Sequence, residues 1–288
     1  MLVVATDLTV VAIPFYFGSM EVERRYLRRR AEERGPSPAD YTREDAQASL
    51  TMGVGSLVIP LASHVLLQKV VPGKGKYGRV LVGTALGAVA VTTLADRLAG
   101  HDADEPADAR DQVVDDHDPA PSSPHRSVRR WARKVRRISG PVAVGTGVLA
   151  TTTWISSRTS APRMWEKGKD RDLGGGPFPW LAAVVGWDFI YYWNHRLMHE
   201  VRGMWAIHVP HHSSEHYNLS TALRQPVADV LGAFVPYGFL ARLGVRPGLI
   251  AQARGINLIY QYWIHTDTIR TIGSGEEVLN TPSHHRVH

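Results

Sequence analysis

The chain has 288 residues, a formal net charge of +6 and no cysteine. The lack of cysteine excludes disulfides, iron–sulfur clusters, thiolate zinc sites and a haem-thiolate ligand, so any bound metal must be held by nitrogen and oxygen. The positive charge does not indicate a nucleic-acid partner, because it is concentrated in short runs beside apolar segments, a pattern typical of membrane topology and headgroup contact.

Six apolar segments predict an all-α fold in the form of an integral membrane helical bundle. Each approaches the roughly 20 residues that a spanning helix needs, but each is short or carries polar interruptions, so part of the bundle is expected at the membrane interface. No alternation typical of β-strands is sustained. The first segment lacks preceding positive residues and an A-x-A cleavage site, and we interpret it as a retained anchor. The segments are Leu2–Met20, Ser49–Leu67, Val80–Leu94, Pro141–Ile155, Phe178–Trp193 and Leu249–Ile264.

These elements divide the chain into three regions. Residues 1–99 are expected to form N-terminal membrane helices, including a hairpin turned by Val71–Lys76. Residues 100–137 hold an acidic stretch, a proline-rich run and a basic end against the membrane, with too little apolar sequence to fold alone, which predicts a disordered charged linker. Residues 138–288 are expected to form a C-terminal domain, in which a long aromatic helix follows the breaker cluster Asp172–Pro179 and ends at the first histidines.

The arginine run Arg24–Arg30 indicates the orientation of the bundle. It follows the first apolar segment, and we expect it on the cytoplasmic side together with the histidine-rich region. The basic loop Lys74–Arg79 agrees with this orientation only if the hairpin enters the membrane and returns without crossing. The sequence therefore predicts a multi-pass protein whose histidine site lies on the cytoplasmic side.

Ten of the fourteen histidines fall in the last third of the sequence, most of them in three clusters. Histidines four residues apart share a helix face and can chelate one ion, whereas adjacent histidines diverge by about 100° and suit two different ions. Pro210 is expected in the first turn of a helix that directs its histidines inward. Together the clusters predict a dinuclear metal centre held by imidazole. They are His195-x-x-x-His199, His208-x-x-His211-His212 and His284-His285-x-x-His288.

These clusters and their surroundings resemble those of the fatty acid hydroxylase/sterol desaturase superfamily of membrane di-iron enzymes. The resemblance is dense over residues 177–288 and weak over the N-terminal half, where only the hairpin layout is similar. The stretch Ser213–Gln225 favours the alkylglycerol monooxygenase branch. The residues that carry the resemblance are Tyr191–Glu200, Trp205–Gln225, Tyr262–Asp267 and Leu279–His288.

Carried over residue by residue, the resemblance implies eight metal ligands, and it adds one histidine on an apolar helix to those in the clusters. His216 and His284 are weaker candidates beside them. The implied ligands are His195, His199, His208, His211, His212, His265, His285 and His288.

Acidic residues beside the clusters are candidates to hold ligand imidazoles by accepting a hydrogen bond from the distal ring nitrogen. Glu200 and Glu215 are the candidates for a catalytic role, and Asp188 and Asp267 are further ones. Each could equally be an ordinary solvated or helix-capping acid.

The resemblance implies two iron ions that activate O2 against an unactivated C–H bond of a lipid, giving hydroxylation, desaturation or oxidative cleavage. Ether lipids, fatty acyl chains and sterol-like molecules are the implied substrates, and the protein positions the lipid and excludes water. The ether-lipid branch implies tetrahydrobiopterin as electron donor, whereas most of the superfamily uses cytochrome b5 or ferredoxin-type donors.

The chain departs from the family pattern at three places. The third box of the family is H-x-x-H-H, which would begin at His285 and need a histidine directly after His288, where the sequence ends. Either the catalytic domain, residues 138–288, is incomplete at its C-terminus or one ligand is missing, and we expect a downstream helix of the family to be absent as well. His216 stands where the branch more often has an acidic residue, and Pro210 is not the usual residue at its position.

Three other functions remain open. A histidine-rich divalent-metal transporter would place ligands mid-span on several helices, whereas these cluster near predicted helix ends. A membrane zinc peptidase needs H-E-x-x-H, and no histidine follows His199-Glu200 at position 203. A non-catalytic scaffold is favoured by the incomplete last box.

Overall fold

A computed structural model describes residues 8–99, 124–226 and 236–288. Within these ranges the chain forms helices and contains no β-strand, so the predicted all-α fold is confirmed for the described residues. The chain divides into two compact units, one made of Met1–His64 with Ile155–His288 and the other of Val65–Trp154.

Eleven α-helices lie in the described ranges, and short 3-10 helices connect some of them. The 3-10 helices span Lys169–Arg171, His211–Ser213, Leu219–Leu223 and Gly273–Glu277. The α-helices are α1 Leu8–Val11, α2 Ile13–Arg34, α3 Arg43–Val70, α4 Gly78–Ala99, α5 Pro124–Thr159, α6 Ala161–Glu166, α7 Pro177–Glu200, α8 Arg202–His208, α9 Gly238–Arg242, α10 Pro247–Trp263 and α11 Pro282–His285.

In the first unit, α6, α7, α9 and α10 pack around one apolar core. Trp187 of α7 is 3% exposed and stacks on Tyr237 with ring centroids 4.5 Å apart, and Leu240 of α9 packs against the same core. The turn between α9 and α10 requires Gly244, because its φ is +102° and a Cβ there would lie 2.2 Å from the carbonyl oxygen of Arg171. This core holds α7 beside α10, and both helices end at histidines.

A second core joins α2 to α10 and to the 3-10 helix Leu219–Leu223. Its polar centre is Glu23, which is 6% exposed. The Glu23 carboxylate accepts hydrogen bonds from Tyr41 Oη at 2.6 Å, from the Leu219 backbone N–H at 2.8 Å and from Thr266 Oγ1. These bonds attach α2 to the segment after the second histidine cluster, through Leu219, and to the segment after α10, through Thr266.

A buried ion pair connects α3 with the segment after the second histidine cluster. The side chains of Arg224 and Asp45 are 7% and 12% exposed, and the Arg224 guanidinium also donates to Ser49 Oγ at 3.2 Å. Its other nitrogen donates to Ser213 Oγ at 3.1 Å. Since Arg224 lies between α3 and the clusters, this pair fixes the backbone to which His211 is bonded.

The second unit contains the end of α3, the turn after it, α4 and most of α5. The turn closes with the Tyr77 backbone N–H donating to the Lys69 carbonyl at 2.8 Å, which confirms the predicted hairpin turn at Val71–Lys76. Ala95 of α4 and Ala132 of α5 belong to one small core, and Thr92 Oγ1 donates to Ser139 Oγ at 2.7 Å.

The basic end of the predicted linker is helical. Residues 124–137 form the first turns of α5, a helix of 36 residues, and are therefore not part of a disordered segment. Arginine and lysine are good helix formers, and here they occupy exposed positions around the buried Ala132, so packing against α4 stabilises the helix. Residues 100–123 of the predicted linker lie outside the described residues.

Among the described residues, two helices are long and apolar enough to cross a membrane by length and composition. They are Gly78–Ala99 and Ser127–Thr159, and they contain the predicted segments Val80–Leu94 and Pro141–Ile155. Only 6% of the apolar window of the second helix is buried. Large apolar side chains such as Leu86 and Val144, each 66% exposed, line their surfaces.

We expect Asp45→Asn to lower the free energy of unfolding by about 3 kcal/mol, because it leaves the buried Arg224 guanidinium without its counter-charge. Chemical unfolding of the full chain in detergent measures this change. The control is Glu32→Gln, which removes an exposed pair with Arg28 at 3.4 Å and should change stability by less than about 1 kcal/mol. Equal effects of the two substitutions would contradict a stabilising role for the buried pair.

Candidate metal centre

The first histidine pair lies at the C-terminal end of α7, as the aromatic helix pattern predicted. His195 and His199 are one turn apart on the same face, with ring centroids separated by 5.1 Å. The chain then turns at Val201, and α8 ends at His208. Pro210 is the N-cap of the 3-10 helix that begins at His211, so it lies directly before the first turn rather than in it.

The remaining ligand candidates come from the end of α10 and from α11. His265 lies two residues after the last residue of α10 and is 3% exposed. His285 is the last residue of α11, which begins with a proline, and His288 follows one turn later. All of these segments belong to the first unit, so one compact region collects the eight histidines.

The eight histidines form two groups. Each ring contributes one nitrogen, and within a group all of these nitrogens lie within 4.8 Å of one another. The adjacent residues His211 and His212 fall in different groups, in agreement with their expected divergence. The first group is His195, His199, His208, His212 and His288, and the second is His211, His265 and His285.

In the second group the proton positions follow from the hydrogen bonds. His211 Nδ1 lies 3.1 Å from the Arg224 carbonyl oxygen, and His265 Nδ1 lies 2.7 Å from that of Gln261. A carbonyl oxygen only accepts, so both Nδ1 atoms carry the proton and both Nε2 atoms carry a lone pair. These two Nε2 atoms face each other at 3.3 Å, and His285 Nε2 lies 2.9 Å from that of His265. Facing lone pairs repel unless a cation lies between them.

In the first group, too, ring nitrogens of different histidines lie at short distances from one another. His195 Nε2 lies 2.6 Å from His288 Nε2, and His208 Nε2 lies 3.0 Å from His212 Nε2. His199 Nε2 is buried and has no hydrogen-bond partner within the described residues. Imidazoles about 2.1 Å from one ion have nitrogens roughly 3 Å apart, so the residues present fit a metal in each group.

Burial keeps these imidazoles neutral. Together with the neighbouring histidines, burial lowers the pKa of His208 and His212 to about 3 and that of His285 to about 2. Burial also lowers the pKa of His288 to about 4. At neutral pH each ring therefore offers a lone pair, which is the state that binds a metal.

The acidic candidates have other contacts. Glu200 accepts from Arg196 Nε at 2.8 Å on the outer face of α7, because the two residues are one turn apart, and Glu215 is exposed. Asp267 pairs with Arg286 at 2.9 Å. The hypothesis that Glu200 and Glu215 hold ligand imidazoles is therefore not borne out by the geometry, which brings neither carboxylate to a histidine nitrogen within the described residues.

The groups that orient the imidazoles are two backbone carbonyls and a phenol, which the sequence reasoning missed. The carbonyls belong to Arg224 and Gln261, and Tyr191 Oη lies 3.3 Å from His195 Nδ1. Tyr191 stands one turn before His195 on α7, a spacing that could have indicated the contact. A backbone carbonyl carries no sequence signal. His216 lies in neither group, and its Nδ1 is buried without a hydrogen-bond partner among the residues that the structure describes.

A cavity of about 750 Å³ lies over both histidine groups. Besides the histidines, its walls are mainly amides and phenols, with one carboxylate, one guanidinium and one apolar side chain, so the cavity can hydrogen-bond a polar group near the two histidine groups. These residues include Asp188, Tyr191, Tyr192, Asn257, Tyr260 and Asn280.

The comparisons with known proteins agree with this geometry. A family model for fatty acid hydroxylases matches residues 180–288. The alkylglycerol monooxygenase of Homo sapiens is 46% identical over 151 residues, which cover 51% of this chain and 34% of the human protein. The alkylglycerol monooxygenase of Danio rerio is 50% identical over 109 residues, or 38% of this chain and 24% of the relative.

The relative from Caenorhabditis elegans, also an alkylglycerol monooxygenase, is 40% identical over 126 residues, or 43% of this chain and 25% of the relative. The chain thus spans about a third or less of the length of these relatives. No solved structure matches. The matched region contains all eight histidines of the two groups. The resemblance is confirmed as a similarity: residues 180–288 match the fatty acid hydroxylase family, and the relatives that the chain is similar to are alkylglycerol monooxygenases.

Proposed function

We propose that this chain forms the catalytic region of a membrane di-iron oxygenase that uses O2 to hydroxylate, and thereby cleave, an ether lipid of the alkylglycerol type. The observation that carries the proposal is the pair of histidine groups, whose unprotonated nitrogens converge beneath one cavity. The names of the relatives support the ether-lipid substrate over a simple acyl chain or sterol.

Two iron ions, held by the first and the second histidine group, would supply activation of O2 and abstraction of hydrogen from the lipid carbon. The chain itself contributes geometry. The carbonyls of Arg224 and Gln261 keep the Nδ1 protons of His211 and His265 directed away from the metals. A rigid set of this kind needs little rearrangement during the reaction.

The cavity provides the means to orient a glycerol group. Hydroxyls of an alkylglycerol can donate to Asp188 and accept from the amide of Asn257 or the phenol of Tyr192, all of which line the cavity. Such polar contacts favour a substrate with hydroxyl groups over a plain hydrocarbon chain, because an apolar ligand would displace water from these groups without replacing its hydrogen bonds.

For the ether-lipid reaction the overall balance is one O2, two electrons and two protons per lipid. One oxygen atom enters the carbon next to the ether oxygen and the other leaves as water. The hemiacetal so formed separates into an aldehyde and glycerol. We propose tetrahydrobiopterin as the source of the two electrons, with cytochrome b5 or a ferredoxin-type protein as the donor to compare it with.

A multi-pass membrane location supports access of such a lipid. The two helices long and apolar enough to span a bilayer, with their exposed apolar side chains, favour insertion. We propose that the histidine groups lie on the cytoplasmic side, where the arginines of α2 are also expected.

We expect His265→Ala to reduce bound iron from two ions per chain to one and to lower lipid oxidation more than a hundredfold. The substitution removes the ligand at the centre of the second group, whose ring nitrogens lie 2.9 and 3.3 Å from its own. Elemental analysis and lipid turnover measure the two effects. The matched control, His216→Gln, lies in neither group and should keep two ions. Loss of iron from both variants alike would contradict the assignment of ligands.

We expect the full-length protein, supplied with iron, tetrahydrobiopterin and an alkylglycerol, to transfer one atom of ¹⁸O2 to an aldehyde product detected by mass spectrometry. A chelator should abolish the reaction and added iron should restore it. If no lipid is oxidised with any of the three donors, while cells that express the protein gain or lose a divalent metal, the transporter hypothesis replaces the oxygenase.

The absence of native cysteine makes orientation directly measurable. We expect single cysteines at Arg28→Cys and Glu277→Cys, both at exposed positions, to react with an impermeant maleimide only from the cytoplasmic side. Reaction of the Glu277→Cys variant from the opposite side alone would place the histidine groups outside the cytoplasm.

A further inference from the structure

A chain of hydrogen bonds runs from the exposed carboxylate of Asp188 on α7 to the ring of His195. Asn257 Nδ2 donates to Asp188 Oδ1 at 2.8 Å, and Gln261 Nε2 donates to Asn257 Oδ1. Tyr191 Oη donates to Gln261 Oε1 at 2.7 Å and lies 3.3 Å from His195 Nδ1. Two residues of α7 and two of α10 thus connect the cavity wall to a histidine of the first group.

The direction of every bond in this chain is set at the carboxylate. A carboxylate only accepts, so the Asn257 amide must turn its NH2 toward Asp188 and its oxygen toward Gln261. The Gln261 amide must then direct its NH2 toward Asn257 and its oxygen toward Tyr191. The Tyr191 hydroxyl donates its one proton to this oxygen. The phenol oxygen can therefore only accept from His195.

This direction decides which nitrogen of His195 is protonated. With Nδ1–H donating to the phenol oxygen, Nε2 of His195 keeps its lone pair, and that atom faces His288 Nε2 within the first group. The opposite tautomer would place a proton where a metal must bind. Because the tautomer is fixed before the metal binds, none of the binding free energy is lost in shifting the tautomer equilibrium, and metal binding is stronger.

The middle of the chain also reaches the second histidine group. The backbone carbonyl of Gln261 accepts from His265 Nδ1 at 2.7 Å, while its side chain bonds to Tyr191. Asn257, Gln261 and His265 follow one another at intervals of four residues along one face of α10 and its end. A single residue of α10 therefore orients one imidazole in each group.

We propose that Asp188, acting through Asn257, Gln261 and Tyr191, is a positioning residue that holds His195 in its Nδ1-protonated tautomer and so strengthens metal binding by the first histidine group. The inference rests on the proposed dinuclear centre. It assigns no contact with iron to the four residues, which act on the ligand alone.

The test is a titration of the metal-free full-length chain in detergent with Co²⁺, whose absorption reports binding to each group. Tyr191→Phe should weaken one of the two binding steps by about 10- to 100-fold and leave the other unchanged. Phenylalanine keeps the ring that stacks on Trp187 at 5.3 Å, so the fold is retained. The matched control is Tyr192→Phe. Within the described residues the Tyr192 phenol accepts one contact, at 3.4 Å from Arg196, so its removal should leave both binding steps within twofold of wild type.

Two further variants separate positioning from general loss of structure. Asp188→Asn should weaken the same step about tenfold, and it should have no additional effect when combined with Tyr191→Phe, since the connection is already broken. Gln261→Met removes the side-chain bonds but keeps the backbone carbonyl, so it should weaken that step alone. Thermal unfolding of the metal-free variants should stay near that of wild type.

The possible results distinguish this inference from the proposed function. Two Co²⁺ ions in wild type, with unchanged affinities in Tyr191→Phe and Asp188→Asn, would overturn the positioning role and leave the dinuclear centre standing. Additive effects of the two substitutions would also overturn it. Fewer than two ions in wild type would overturn the dinuclear centre and the positioning role together.

Discussion

Imidazole lone pairs that face one another in a buried cavity are the constraint on which this structure depends. Without a cation between them, the nitrogens of His211 and His265 would repel at 3.3 Å, and burial lowers the pKa of both rings, so that neither is protonated at neutral pH. The backbone carbonyls of Arg224 and Gln261 accept from the Nδ1–H groups of these rings and so keep the proton on Nδ1. The rings therefore cannot relieve the repulsion by moving a proton to Nε2. The fold therefore maintains an arrangement that a bound cation would stabilise.

The helices of the first unit are arranged to create this convergence. The core around Trp187 aligns α7 with α10, so that both deliver histidines at adjacent ends. Glu23 and the Arg224–Asp45 pair attach α2 and α3 to the segments between those helices. Loss of one partner of such a buried charge destabilises the folded state. The position of the histidines therefore depends on the packing of the N-terminal helices.

The helices and the convergence of the clustered histidines could be predicted from the sequence, because both follow from spacing. His265 was implied only by the family resemblance. The i, i+4 pair at His195 and the divergence of His211 from His212 depend only on helix geometry, and the structure places these residues accordingly. The partners of the imidazoles could not be predicted in the same way. The carbonyls of Arg224 and Gln261 are common to all residues, and the contact of Glu200 with Arg196 was as compatible with the sequence as a contact with histidine. The basic residues of 124–137 were equally ambiguous, since only packing of Ala132 against α4 makes them helical.

The central claim is that two groups of neutral imidazoles, with few oxygen ligands, hold two ions in one cavity. X-ray absorption at the iron edge of the iron-loaded, full-length protein tests it most directly. The account predicts the multiple-scattering pattern of several imidazoles per iron together with a second iron within the same site. A spectrum dominated by carboxylate or water oxygen, with no imidazole pattern, would contradict it.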